Sequence, residues 1–320
     1  MKLAKGDKVV IVCCSNGQSL SKKKEIENLK VILEEMSLIP VFSKYIYQKI
    51  SLEEVENNLK GFPESGSPLE KARELMGFYE DASIKAIFDI SGGDLANTIL
   101  PYLDYERIAS VKKQFWGYSD LTTVINAIYT KTQKVSVLYQ IRNLLYEYSS
   151  SQKKDFIKTC FAKNLKDIIN DDAVKKMERE NVHNLSATQT TGLFQFPYKF
   201  YQGETVEGVV VGGNLRCFLK LAGTEYFPDV TDKILLLEAR SGNAAQILTY
   251  FSQLEQLGAF KKVKGILLGT FTQMEREQPV SAVYFLLKRY INEELPVVKT
   301  EYIGHGEDSK AIQIGKKYKF

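Results

Sequence analysis

Three side chains in this 320-residue sequence suit acyl transfer by a hydroxyl nucleophile: Ser119, Glu238 and His305. Ser119 lies in Gly117-Tyr118-Ser119-Asp120. A short apolar approach, Phe115-Trp116, runs into it, and an amphipathic helix follows with Leu121, Val124, Ile125 and Ile128 on one face. A serine on such a strand-to-helix turn projects its hydroxyl beyond the sheet edge. The first N–H groups of the helix lie beside it, unpaired and carrying the positive end of the helix dipole. That is the geometry of a nucleophile elbow, with Gly-Tyr-Ser-Asp in place of G-x-S-x-G. Ser-Asp before a helix is also an ordinary N-cap.

Glu238 closes the apolar run Ile234-Leu235-Leu236-Leu237, and a charge at the end of a buried strand is costly unless something pairs with it. His305 stands between Gly304 and Gly306, which leave its ring room to turn. The plainer alternatives are a strand-end salt bridge and a surface-loop histidine. The only other histidine, His183, sits in polar Asn181-Val182-His183-Asn184 and reads as solvated. Ser, Glu and His in that chain order suit a nucleophile, an orienter and a base, although spacing does not show that they meet. Gly92-Gly93 suits a close approach of backbone N–H to a substrate, a phosphate-binding turn or a tight turn. Neither a G-x-G-x-x-G nor a P-loop pattern occurs.

These residues need a scaffold, and the pattern supplies one. Lys8-Val9-Val10-Ile11-Val12-Cys13 reads as a buried parallel strand, followed by a loop at Cys14-Ser15-Asn16-Gly17 and a helix over 21–36. A short strand covers 39–42. Ser67 with Glu70 forms a capping box opening a helix to Tyr79. Residues 84–90 are a strand, then come Ser91-Gly92-Gly93-Asp94 and a helix. The alternation predicts a doubly wound parallel sheet whose sites lie beyond the strand carboxyl ends. Residues 146–184 are polar and mostly helical in pattern, a connector whose lysines form a solvated face. A second apolar series follows: strands at 207–211, 233–238 and 263–268, helices at 243–257 and 281–293, and a short strand at 311–314.

The bulk numbers narrow the class. A charge of +4, with 43 Lys and Arg against 39 Asp and Glu, gives nucleic-acid binding no support. No stretch approaches membrane-span length and the N-terminus lacks an apolar signal segment, so a cytoplasmic protein without membrane association is the expectation. Cys13, Cys14, Cys160 and Cys217 show no metal or disulfide spacing and read as reduced.

The sequence resembles the LD-carboxypeptidase family of serine peptidases, which spans murein tetrapeptide carboxypeptidases and microcin C immunity peptidases. The matching blocks, in family order, are Gly6-Asp7-Lys8-Val9; Ser65-Gly66-Ser67; Gly92-Gly93-Asp94 leading to Leu100-Pro101-Tyr102-Leu103-Asp104; Gly117-Tyr118-Ser119-Asp120; Gly212-Gly213-Asn214-Leu215 leading to Gly223-Thr224; residues 234–238; and Gly304-His305-Gly306. The resemblance implies Ser119 as nucleophile, His305 as base and Glu238 as orienter. It implies an α/β fold: an N-terminal doubly wound parallel-sheet domain over 1–170 with the nucleophile, and a C-terminal mixed α/β domain over 171–320 with Glu238 and His305. The active site is expected in the cleft between them, and a homodimer is expected. Ser91-Gly92-Gly93-Asp94 looks closer to the immunity branch than to the Arg-Gly-Gly-Tyr-Gly of the murein branch. Tyr139-Gln140-Ile141 stands where Tyr-Gly-Pro is common.

These residues support a metal-free, cofactor-free mechanism on a small peptide substrate. The Asp120 amide and one Gly92-Gly93 amide, Gly93 by preference, bind the oxyanion. Gly92 and Asn214 line the substrate. The first reading is hydrolysis of an L,D amide bond at the C-terminus of a murein-type peptide, releasing a D-amino acid. The alternatives are a self-immunity peptidase that cuts a peptidyl-nucleotide, and a non-catalytic nucleotide or sugar-phosphate binding protein.

Overall fold

Lys8-Val9-Val10-Ile11-Val12 has β-branched residues at four of its five positions and forms strand β1, Lys8–Val12, with Val9, Val10 and Ile11 fully buried. The computed structural model describes residues 2–49, 63–161 and 192–320. His183 and the charged stretch 175–180 lie outside the described residues. The chain divides into two compact units, Met1–Leu121 with Gln140–Phe194, and Thr122–Tyr139 with Gln195–Phe320.

In the first unit, β1 pairs in parallel with β2 (Ile39–Phe42) and β3 (Ile84–Asp89), and β3 pairs in parallel with β4 (Gln114–Gly117). The order β2-β1-β3-β4 is the parallel arrangement read from the alternation of strands and helices. Helix Lys23–Glu35 buries Ile26, Leu29 and Leu33, one residue per turn along one face. Helix Pro68–Glu80 opens with the capping box: Ser67 accepts from the Glu70 N–H, and the Glu70 side chain accepts from the Ser67 N–H. Trp116 of β4 packs against Phe88 of β3 and against Phe156 at 5.5 and 6.1 Å between ring centres. Trp116, Tyr118 and Tyr139 are core residues, each less than a tenth exposed.

The second unit is mixed. Its sheet runs β12-β7-β8-β9-β10-β6, where β7 is Glu207–Asn214, β8 Lys233–Ala239, β9 Gly265–Phe271 and β10 Val297–Lys299, all parallel. The edge strands β6 (Lys199–Gln202) and β12 (Lys317–Lys319) pair antiparallel. Strand β5 (Ser136–Leu138) pairs antiparallel with β11 (Ile312–Ile314). Leu235, Leu237, Ile266 and Leu268 of the sheet pack with Phe218, Ile247 and Phe251 of the helices. Each such fully buried side chain contributes roughly 1.5–3 kcal/mol.

Strand β12 covers β7 only over Val209–Glu207. Farther along, the buried side chain of Asn126 takes a strand's place: its Nδ2 donates to the Gly212 carbonyl and its Oδ1 accepts from the Gly212 N–H, both at 2.9 Å. A buried backbone edge is thereby satisfied without another strand.

Three sequence expectations change. The helix after Ser119, Thr122–Thr132, is buried on every side from Thr122 to Tyr129, because its polar members Thr122 and Asn126 bond to strand β7. The helix after Asp94 is a 3-10 helix, Ala96–Tyr102, with Pro101 inside it. Pro101 brings no N–H to extend an α-helix. Helix Ala282–Leu287 is shorter than the pattern at 281–293.

Candidate functional site

The polypeptide leaves β4 at Gly117 and turns through Tyr118 and Ser119 into a single 3-10 turn, Ser119–Leu121. The Leu121 N–H closes that turn on the Tyr118 carbonyl at 2.9 Å. Ser119 has φ of 54°, in the left-handed region, which costs an L-residue about 1–2 kcal/mol. A strained serine at the head of a strand-to-helix turn is what a nucleophile elbow requires. The bare N-cap reading of Ser119 accounts for none of that strain, since N-caps sit in the β region.

Two carboxylates of the first unit fix the loops around this serine. Asp120, fully buried, accepts from the Ser15 hydroxyl at 2.6 Å and from the Ala96 N–H at 2.8 Å. It joins the elbow to the loop after β1 and to the 3-10 helix after Gly92-Gly93. Asp89, at the end of β3, accepts from the Cys14 N–H and the Ser91 N–H, both at 2.7 Å, and from the Ser91 hydroxyl at 2.5 Å. Burial pushes the Asp89 carboxyl above its usual range, against the pull of those donors. Ser91 Oγ in turn accepts from the Ser15 N–H at 2.9 Å.

The Gly92-Gly93 pair is thus held in place. A Cβ at Gly92 would stand 3.7 Å from Ser119 Cβ and 3.8 Å from its Oγ, so this glycine's bare backbone faces the serine. Gly93 has φ of 122°, and the Asn16 side chain fills the space a Cβ would need there. Asn16 Oδ1 accepts from the Asp94 N–H at 3.0 Å. The first unit therefore brings Ser119, Asp120, Gly92 and Gly93 together.

The second unit brings the other pair together. Glu238 is fully buried, and its Oε2 lies 2.8 Å from His305 Nδ1. Its other oxygen, Oε1, is buried without a hydrogen-bond partner among the described residues. The sheet is irregular at this point: Leu237 registers with Leu268 but Ala239 with Phe271, so β9 spends Gly269 and Thr270 opposite Glu238. Such a bulge bends its strand and re-aims the neighbouring side chains. Gly269 allows the close packing, since a Cβ there would stand 2.9 Å from Glu238 Cβ. The Thr270 N–H then donates to the Ile303 carbonyl at 2.8 Å and anchors the loop that carries His305. The next residue, Gly304, has φ of 153° and lies against Thr270 so closely that no side chain fits.

Asn214 registers with Glu238 across β7 and β8. Its Oδ1 caps helix Leu215–Leu219 by accepting from the Cys217 N–H at 3.3 Å, and its own N–H donates to Thr122 Oγ1 at 3.0 Å. The four cysteines are buried thiols, none in a disulfide among the described residues. Sequence reasoning passed over Ser15, Asn16 and Asp89. A carboxylate closing the apolar run of β3 is the same signal that singled out Glu238, and it could have found Asp89.

Comparison with known proteins bears on this arrangement. Residues 9–140 match the family model of the LD-carboxypeptidase N-terminal domain, and residues 207–320 that of the LD-carboxypeptidase C-terminal domain. The putative carboxypeptidase YocD of Bacillus subtilis is 29% identical over 84% of this chain and 79% of its own length. A probable murein peptide carboxypeptidase of the same organism is 26% identical over 98% of this chain and 89% of its own. The microcin C7 self-immunity protein MccF of Escherichia coli is 27% identical over 80% of this chain and 76% of its own. The wild-type apo structure of MccF superposes with a TM-score of 0.79 at 23% identity, covering 99% of this chain and 94% of that one, a likeness of fold. With both of its halves matched, the chain belongs to the LD-carboxypeptidase family and is a hydrolase of the serine carboxypeptidase type.

Proposed function

We propose that this protein hydrolyses an L,D amide bond at the C-terminus of a murein-type peptide, releasing a D-amino acid, through a triad of Ser119, His305 and Glu238. The observation that carries the reading is the 2.8 Å contact of His305 Nδ1 with the buried Glu238 carboxylate, in a family member with a left-handed serine, Ser119, on a strand-to-helix turn. Glu238 holds Nδ1 protonated, which leaves Nε2 as the base. Ser119 Oγ attacks the amide carbon as its proton passes to Nε2. The amides of Asp120 and Gly93 receive the oxyanion, and each such donor is worth about 3 kcal/mol of barrier. Collapse expels the D-amino acid, whose nitrogen takes the proton from Nε2. A water then repeats the sequence on the acyl-enzyme and frees Ser119. Gly92 gives the substrate close access, and Asn214 lines the site beside Glu238. The working form in this reading is a cytoplasmic homodimer that recycles wall peptides.

The Ser91-Gly92-Gly93-Asp94 loop favours a second reading, cleavage of a microcin C-like peptidyl-nucleotide. A parallel assay separates the two with a murein tetrapeptide, its all-L diastereomer and a peptidyl-nucleotide amide. Release of D-Ala from the first alone is the expected result. Cleavage of the conjugate alone transfers the assignment to the second reading, and cleavage of the all-L peptide sinks the stereochemical claim. No turnover on any of them, with no labelling of Ser119 by a fluorophosphonate, returns the chain to a binding role.

A further inference from the structure

Lys299 is the least expected residue in the second unit. Its side chain is wholly buried on β10, where burial disfavours the ammonium and pulls its pKa down against the opposing effect of Glu275. Its Nζ donates to Glu275 Oε1 at 2.8 Å, to the Gly269 carbonyl at 2.8 Å and to the Thr300 carbonyl at 3.3 Å. Glu275 stands on helix Thr272–Glu277, which leaves β9 directly. A buried ion pair is rarely the most stable way to fill such space, and apolar residues of similar volume often do as well or better. Its retention calls for a use.

That use follows from where the Gly269 carbonyl lies. Gly269 is in the bulge of β9 that faces Glu238, and a bulge takes a residue out of the regular strand ladder. The Lys299 ammonium supplies a donor to that displaced carbonyl. On one side the bulge packs against Glu238 Cβ; on the next residue, Thr270 holds Ile303, two positions before His305. One peptide segment thus abuts Glu238 and the loop that carries His305, and its shape is held by Lys299 and Glu275.

We infer that the Lys299–Glu275 pair is a positioning device for the proposed dyad: it clamps the β9 bulge at Gly269 and so sets the Glu238–His305 hydrogen bond. Neither residue touches the reacting atoms. The inference extends the proposed hydrolase reading, on which its kinetic arm rests.

The test uses the full chain with the double variant Lys299→Met/Glu275→Leu, which removes both charges together and leaves no lone buried ion. Histidine-specific nitrogen labelling gives two imidazoles, and a His305→Gln control assigns the one of interest. The expected result has three parts. The melting temperature stays near wild type. The Nδ1 proton resonance of His305 moves upfield or is lost to solvent exchange. The kcat drops about 10- to 100-fold, as loss of near-attack geometry does, with KM within about twofold. A folded double variant with the native His305 resonance and native kcat overturns the proposal. Should that variant not fold, Glu275→Gln keeps the volume and an acceptor but removes the charge. It is expected to broaden the same resonance, and an unaltered resonance there overturns the proposal as well. The resonance is read without substrate. A wild-type chain lacking turnover therefore defeats the hydrolase reading while the clamp is still decided by the spectrum.

Discussion

His305 Nδ1 and Glu238 Oε2 stand 2.8 Å apart, and the second oxygen of that carboxylate is enclosed without a partner among the described residues. Replacing Glu238 by Gln keeps the shape but offers an amide that can donate as well as accept, so the imidazole is no longer held in one tautomer. Turnover should fall by about 10⁴, as the equivalent change does in other serine triads. The check is kcat for Glu238→Gln beside wild type. A loss under tenfold would remove Glu238 from the orienting role.

Ser119→Ala should abolish hydrolysis, by on the order of 10⁴-fold or more, because the residual rate rests on binding and the oxyanion donors alone. The side chain lost is small and partly exposed, so the melting curve should hardly move. Near-wild-type turnover with an unchanged melt excludes Ser119 as nucleophile.

Asp120→Ala tests the scaffold rather than the chemistry. It strands the Ser15 hydroxyl and the Ala96 N–H, both bonded to Asp120 Oδ2. Each unsatisfied buried group costs about 1–3 kcal/mol, so urea unfolding should show a loss in that range or above. A midpoint within error of wild type would show that the carboxylate does not brace these loops.

Thiol chemistry gives a fourth outcome. Burial, and next the nearby Asp89, push the Cys13 thiol up to about 12, and burial drives Cys14 and Cys160 well above the ordinary range. At neutral pH these groups are protonated, and the reactive thiolate grows only as the pH nears those raised values. Iodoacetamide should leave the native chain unmodified and active at pH 7.5, as read by intact mass and turnover. Rapid alkylation with loss of activity would point to a cysteine nucleophile.

Much of this was legible in residue types. The apolar run before Glu238 and the turn around Ser119 each carry a local signal, burial cost in one case and strand-to-helix punctuation in the other. The β9 bulge carries none, because the apolar run that marks a strand, 263–268, stops short of Gly269 and Thr270, and only pairing with β8 reveals the extra residue. Three-residue strands such as β5, β10 and β12 are too short for periodicity to mark. Lys299 sits at the end of one of them, and nothing in Val297-Val298-Lys299-Thr300 distinguishes a buried lysine from one reaching into water.

The left-handed backbone of Ser119 has a consequence for laboratory evolution. Glycine enters that conformation without the steric cost a serine bears, so Ser119→Gly would raise stability while deleting the hydroxyl. Variants sorted by heat resistance alone would accumulate glycine at this position, and their improvement would be bought with the reaction itself.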